Sequence, residues 1–393
     1  MPADSYKLTP EERLLLLLAS AEPGSRADEQ AAHLLSQPFD WPRLLAIAHS
    51  QDVVPVLPYS PLWSAVRACA PPEVLSDIQE RRLLVMMANM SAAAELDRIE
   101  RALQDEGVAV IPLKGVSLLR RLYPGLDARR CGDIDLLVKP GDRERACEIL
   151  RAMGYSPLGE PRPGLLSHPF HGVPLVRTSA HGGHVVELHW NLTDPRFVPV
   201  DLEGLWARAQ QTREPRGEMS LPPEELLVFL ALHLPKHDTG LLRLLVDIDR
   251  LVRQERPDWQ LVERIARRWR AQTLLFFALS HARELLGTPV PDGVTRSLSP
   301  GTFRRAVVRG LAGPLWVLRP PAVDNLRASQ FRLAYCLMLQ PAGRVLRAYR
   351  TYLCAGGGGA GGALLGLARG LAWPLVIGYS CLRRGPGHEG ASP

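Results

Sequence analysis

The sequence predicts an α+β protein in which a small mixed sheet sits between an N-terminal and a C-terminal helical region. Three observations carry that reading. Apolar residues recur at helical spacing from residue 10 to about 105, and again beyond Pro222-Pro223. Between these stretches the period shortens into the runs "VAVIPL" (108–113), "DIDLLV" (133–138) and "HVVELHWNL" (184–192). Gly and Pro punctuate the changes. A chain of 393 residues can bury more than one core, and it divides into helical 1–95, a sheet-bearing core 96–200, helical 201–290, an extension 291–354 and a tail 355–393.

In chain order, Thr9-Pro10-Glu11-Glu12 starts a helix with Thr9 as N-cap, Pro10 in the first position and Glu12 closing a capping box. The leucine run 14–18 follows two glutamates and precedes no small-residue cleavage site, so it reads as helix and not as a signal peptide. "DWPRLLAIAHSQDVVPVL" is a second helical stretch, and a long helix through "SDIQERRLLVMMANM" stops at Gly107. "VAVIPL" is apolar enough for a strand buried on both faces. Lys114-Gly115 then turns into the helical "VSLLRRLY", "DIDLLV" is a second strand, and "RERACEILRAMGY" is a helix ended by Gly154. Residues 156–183, rich in Gly, Pro and His, read as loop or irregular hairpin before the strand "HVVELHWNL".

Beyond Pro223, "EELLVFLALHL", "LLRLLVDIDRLVR" and "WQLVERIARRWRAQTLLFFALSHARELLG" are helical, and "VPDGVTRSLSPG" reads as a linker. Arginine-laden helices over 302–353 lead to the flexible joint "AGGGGAGGA". Residues 364–384 are apolar, but Arg369 at the centre of a span would cost about 2.5–3.5 kcal/mol. The segment therefore reads as a packed or interfacial tail with peripheral membrane contact.

A hydrophobic share of 46% with 22% charged residues is that of a soluble globular protein. The net charge of +6 is mild and compatible with anionic partners, and without a dense basic patch interleaved with aromatics no specific nucleic acid is expected. Six scattered cysteines with no CxxC pair point to a reducing, cytoplasmic setting.

The chemistry concentrates in "DID". In a strand, residues two apart share a face, so Asp133 and Asp135 lie side by side. Adjacent carboxylates repel, and a divalent cation between them removes the conflict. Hard oxygen ligands favour Mg²⁺ or Mn²⁺ over zinc. A solvent-facing edge strand is the plain alternative, but upstream a buried strand runs through Lys114-Gly115 into a helix start, where anions bind. Lysine occurs only at positions 7, 114, 139 and 236, so Lys114 stands out as a compact point charge in an arginine-using chain. Glu187 supplies a third carboxylate, costly amid apolar sequence unless it binds something. His189 shares its face and either orients a carboxylate, touches substrate or packs. His168, His171, His181 and His184 read as loop histidines near an anionic ligand rather than as a zinc set. His233 and His237 are four apart on a helix with Lys236 between them, and they line a cleft or complete the core. Arg243 and Asp247, also four apart, read as an ion pair along one helix.

The set "LKG", "R...DIDLLV" and "ELHW", in that order, resembles the nucleotidyltransferase superfamily, in particular an uncharacterised bacterial branch. The likeness extends to "DW..LL..A" before the core and "LALHL.KH...RLL.DI" after it, over roughly residues 10 to 290. The resemblance implies a nucleotidyltransferase core in which Asp133, Asp135 and Glu187 are catalytic and hold Mg²⁺ or Mn²⁺. Lys114, Gly115 and Ser117 would meet the nucleotide, Arg129 would contact phosphate, and His189, His233 and His237 would face the active site. The donor would be an NTP, with ATP expected, and the acceptor is not readable. Lys-Gly stands where the superfamily usually has Gly-Gly or Gly-Ser, and the gap from Gly115 to Asp133 is longer than usual. That departure keeps open an alternative, an inactive protein of this fold that binds nucleotide or regulates. A kinase-like phosphotransferase would need a motif that is missing.

Overall fold

The computed structural model describes residues 7–158, 171–179, 182–195, 197–210, 219–234, 241–311, 313–319 and 338. The N-terminal helices are α1 (Pro10–Ala19), α2 (Ala27–Leu35), α3 (Trp41–Ser50), α4 (Trp63–Cys69) and α5 (Pro72–Asp105). The sheet-bearing segment follows as β1 (Val110–Pro112), α6 (Val116–Leu122), β2 (Ile134–Val138), α7 (Arg143–Ala152), β3 (Ser156–Pro157), β4 (Gly172–Ser179) and β5 (Gly182–His189). After it come α8 (Leu202–Ala209), α9 (Pro223–His233), α10 (Leu241–Glu255), α11 (Trp259–Arg268), α12 (Gln272–Leu286), α13 (Asp292–Leu298), α14 (Thr302–Leu311) and α15 (Leu315–Leu318). This is the α+β architecture that the change of period predicts.

The capping box is present: Glu12 N–H donates to Thr9 Oγ1 at 3.4 Å and Thr9 N–H donates to Glu12 Oε2 at 2.9 Å. Leu14 to Leu18 are all buried, and α1 packs against α2, α3 and α12. A helix apolar all round is a core helix.

The sheet order is β1-β2-β5-β4-β3, with β2 and β5 parallel and the other neighbours antiparallel. β1 and β2 are buried along their whole length, as their unbroken apolar runs require. Residues 172–179, read as loop or irregular hairpin, are a regular strand paired with β5 from Gly172↔His189 to Ser179↔Gly182. Pro174 and the flanking glycines hide that strand from its side-chain pattern, and the backbone ladder to β5 supplies what propensity lacks.

Two helical expectations change. "WQLVERIARRWRAQTLLFFALSHARELLG" is broken into α11 and α12 at Arg270, which adopts a left-handed φ of 56°. "VPDGVTRSLSPG" is not a linker. It forms α13, which buries Val294 and Leu298 and packs on α11 and α12, so tertiary burial offsets Gly293 in the first turn. Among the described residues no helix is long and apolar enough to cross a membrane. The joint 355–363, the tail 364–384, Lys236, His168, His181 and His237 lie outside the described residues.

Candidate metal and nucleotide site

The parallel pairing of β2 with β5 sets Asp135 opposite Glu187 and Leu137 opposite His189. Glu187 and His189, two apart on β5, share a face. Three ionisable side chains from two central strands therefore meet on one side of the sheet. Asp133 lies one residue ahead of β2 and is 35% exposed, whereas the Asp135 side chain is 1% exposed.

A carboxylate buried that deeply requires compensation. Lys114 Nζ stands 3.0 Å from Asp135 Oδ2 and donates to both Asp133 oxygens at 3.3 Å. His189 Nε2 is 3.3 Å from Asp135 Oδ1 and 3.4 Å from Glu187 Oε2. Burial pushes the His189 pKa down, but hydrogen bonds with Asp135 and Glu187 carry it above the usual histidine value. Burial pushes the Glu187 carboxyl up, and the hydrogen bond and charge of His189 bring it below the usual carboxylate value. Burial likewise works against the Lys114 ammonium, and the charges of Asp135 and Asp133 raise its pKa above that of a free lysine.

The backbone makes room for this arrangement at two glycines. Gly115 has a φ of 64°, and a Cβ there would stand 3.0 Å from the Asp133 carbonyl oxygen. A Cβ on Gly172 would meet His189 Nδ1 at 2.8 Å and Leu188 O at 3.0 Å, so β4 must be bare where the imidazole lies. The His171 ring stacks on that of His189 at 5.9 Å with 17° between planes. His171 is a buried turn residue just ahead of β4, as the loop reading has it, whereas His184 lies on β5, 3.3 Å from Ser91 Oγ.

Asp135, Glu187 and His189 each offer a ligand atom, all within 4.8 Å of one another. Two carboxylates and an imidazole suit a divalent cation, Mn²⁺ better than Mg²⁺, because imidazole is a transition-metal ligand. Asp133, also expected as a ligand, stands outside that cluster and accepts from Lys114 Nζ at 3.3 Å.

Lys114 and Asp133 also line a cleft of about 110 Å³ whose walls include Asp52, Gly115, Arg130, His233 and Arg243. It is smaller than the roughly 300–1,000 Å³ of a whole-ligand pocket and suits part of a nucleotide. Ser117 is half-buried in the first turn of α6. With only seven residues in α6, the positive character of the cleft comes mainly from side chains.

Arg129 reaches this wall, but its guanidinium is committed elsewhere. Nε and Nη2 donate to Asp247 at 2.7 and 2.8 Å, and Tyr123 OH donates to the same carboxylate at 2.6 Å. The expected pair along α10 is thus replaced. Asp247 takes Arg129, while Arg243 turns to Asp52 at 3.5 Å and donates to the Arg130 carbonyl at 3.1 Å. Burial, then the neighbouring Arg129 charge, pull the Arg243 pKa below the usual arginine value. Asp52, Arg130 and the turn of Arg243 toward Asp52 escape sequence reasoning, because spacing along the chain does not record which distant charge packing brings near.

The model of a family described as "Uncharacterised nucleotidyltransferase" matches residues 37–287. No curated protein and no solved structure matches the chain.

Proposed function

The chain belongs to the uncharacterised nucleotidyltransferase family, and we propose that it moves a nucleoside monophosphate from an NTP to an acceptor hydroxyl with release of pyrophosphate. The observation that carries this reading is the register of Asp135 on Glu187, beside the Lys114-Gly115 turn and a cationic cleft.

Asp135, Glu187 and His189 would hold a divalent cation, Mg²⁺ or Mn²⁺. Such a cation supplies the positive charge that eases deprotonation of the acceptor and offsets charge on the triphosphate. Lys114, Arg130 and Arg243 favour the triphosphate in the cleft, and Asp133 marks the boundary between cleft and metal ligands. An acceptor oxygen forms the new bond to the α-phosphorus as the bond from that phosphorus to the bridging oxygen breaks. The bonding pair leaves with pyrophosphate. The acceptor proton passes to Glu187, whose partly exposed carboxylate hands it to water. The side chains thereby contribute positioning and charge neutralisation, which are the main demands of phosphoryl chemistry. ATP is the donor we expect, and the helical flanks select the acceptor.

The test is incubation with ATP labelled at the α or the γ position, Mg²⁺ or Mn²⁺, and a panel of acceptors. Label transferred from the α position alone supports the reading. Transfer from γ alone identifies a kinase, and transfer from neither across the panel favours a fold that binds nucleotide without using it.

A further inference from the structure

We propose that Lys114 is a built-in cation occupying the position between Asp133 and Asp135, so that the site takes a single divalent ion on Asp135, Glu187 and His189. This rests on reading the carboxylate cluster as the metal site of the transfer proposed above.

The first argument is geometric. The Lys114 ammonium lies 3.0 Å from Asp135 Oδ2 and 3.3 Å from both oxygens of Asp133, and its side chain is only 10% exposed. An ion bridging the two aspartates would need those same oxygens. The ammonium is also held by the backbone. Pro112 is in register with Leu136, Leu113 N–H donates to the Asp135 carbonyl at 2.9 Å, and Gly115 turns tightly against the Asp133 carbonyl. Lysine therefore begins its side chain beside the aspartates in any state that keeps the β1–β2 pairing.

The second argument is charge. Asp133, Asp135 and Glu187 bring three negative charges when ionised. One ammonium and one divalent cation balance them, whereas two divalent cations would leave the ammonium crowded against like charge. The remaining charge of a bound triphosphate falls to the Arg130 and Arg243 side of the cleft.

The third argument is the ligand set. The atoms that cluster within 4.8 Å of one another belong to Asp135, Glu187 and His189 and leave Asp133 out. With an imidazole beside two carboxylates the set suits a transition metal such as Mn²⁺ better than Mg²⁺, and the imidazole takes the place of the carboxylate that lysine has claimed.

The experiment counts Mn²⁺ by equilibrium dialysis and by loss of the free-ion electron paramagnetic resonance signal, with a saturating α,β-methylene analogue of ATP. Full-length wild-type chain should bind one Mn²⁺ per nucleotide-loaded chain. Lys114→Ala and Lys114→Met should each bind two, and His189→Ala should lose the wild-type ion. The thermal midpoint gives a second reading. Adding Mn²⁺ should raise it more in the Lys114 variants than in wild type, because an ion then relieves aspartates that lysine no longer compensates. Two Mn²⁺ in wild type, or one in both Lys114 variants with no larger thermal gain, would overturn the inference. Two ions together with α-label transfer would leave the proposed function standing. No bound Mn²⁺ in any folded variant would remove the metal reading itself.

Discussion

Replacing Asp247 by Asn should destabilise the protein by about 3–5 kcal/mol, the cost of stranding one partner of a buried ion pair. The Asp247 carboxylate is fully buried and accepts hydrogen bonds from Arg129 Nε and Nη2 and from Tyr123 OH. The amide removes the charge and turns one oxygen into an N–H donor, which faces N–H donors of Arg129. The Arg129 side chain, 3% exposed, has no route to water, and Arg243 is a second positive charge nearby. Urea denaturation followed by circular dichroism measures the loss as a shift of midpoint at unchanged slope. At about 2–4 °C per kcal/mol for domains of 150–250 residues, the thermal midpoint should fall by roughly 10 °C. Arg129→Met combined with Asp247→Leu should recover much of the loss, since a buried pair replaced by apolar groups is often neutral. An Asp247→Asn protein within 1 kcal/mol of wild type, or a double variant no better than the single, would refute this account of the brace between α10 and the segment before β2.

Asp135→Asn should fold normally by circular dichroism yet lose Mn²⁺ binding and nucleotidyl transfer, and retained transfer would remove the metal reading. Gly172→Ala pushes a methyl group into the His189 ring; we expect Mn²⁺ affinity to fall by about 10–100-fold, the usual range for disturbed ligand orientation, read by calorimetric titration on a folded variant. Burial raises the Glu95 carboxyl, but hydrogen bonds from Arg98, Tyr155 and Arg177 dominate and hold its pKa at about 2. Because the folded value lies below the unfolded one, this stabilisation is complete above about pH 4.5 and is lost as pH falls toward 2, amounting to no more than about 3 kcal/mol. Glu95→Gln should flatten the acid limb of a stability profile, and an unchanged limb would show that the network contributes nothing.

Much of the fold is legible from periodicity and punctuation. The capping box at Thr9, the buried leucine helix, the apolar strands β1 and β2 and the helices on either side of the sheet follow from local pattern. The family that the motifs resemble is the one whose model matches residues 37–287. β4 and α13 were hidden because their sequences are poor in local propensity and depend on pairing and burial. The break at Arg270 was hidden because the helical pattern runs on across it.

The sequence by itself determined that two aspartates stand two apart at the start of one strand, that a glutamate and a histidine share another, and that a lysine precedes a glycine turn. Strand alternation is local and can be counted. Only the tertiary structure decided that β2 and β5 run parallel in the register that joins Asp135 to Glu187. The same holds for the ammonium that chooses Asp133 and Asp135, and for the pairing of Arg129 with Asp247 in place of Arg243. A charged side chain in the interior pairs with whichever opposite charge the packing of elements brings near. Desolvation makes that choice steep, and nothing in the spacing along the chain records it.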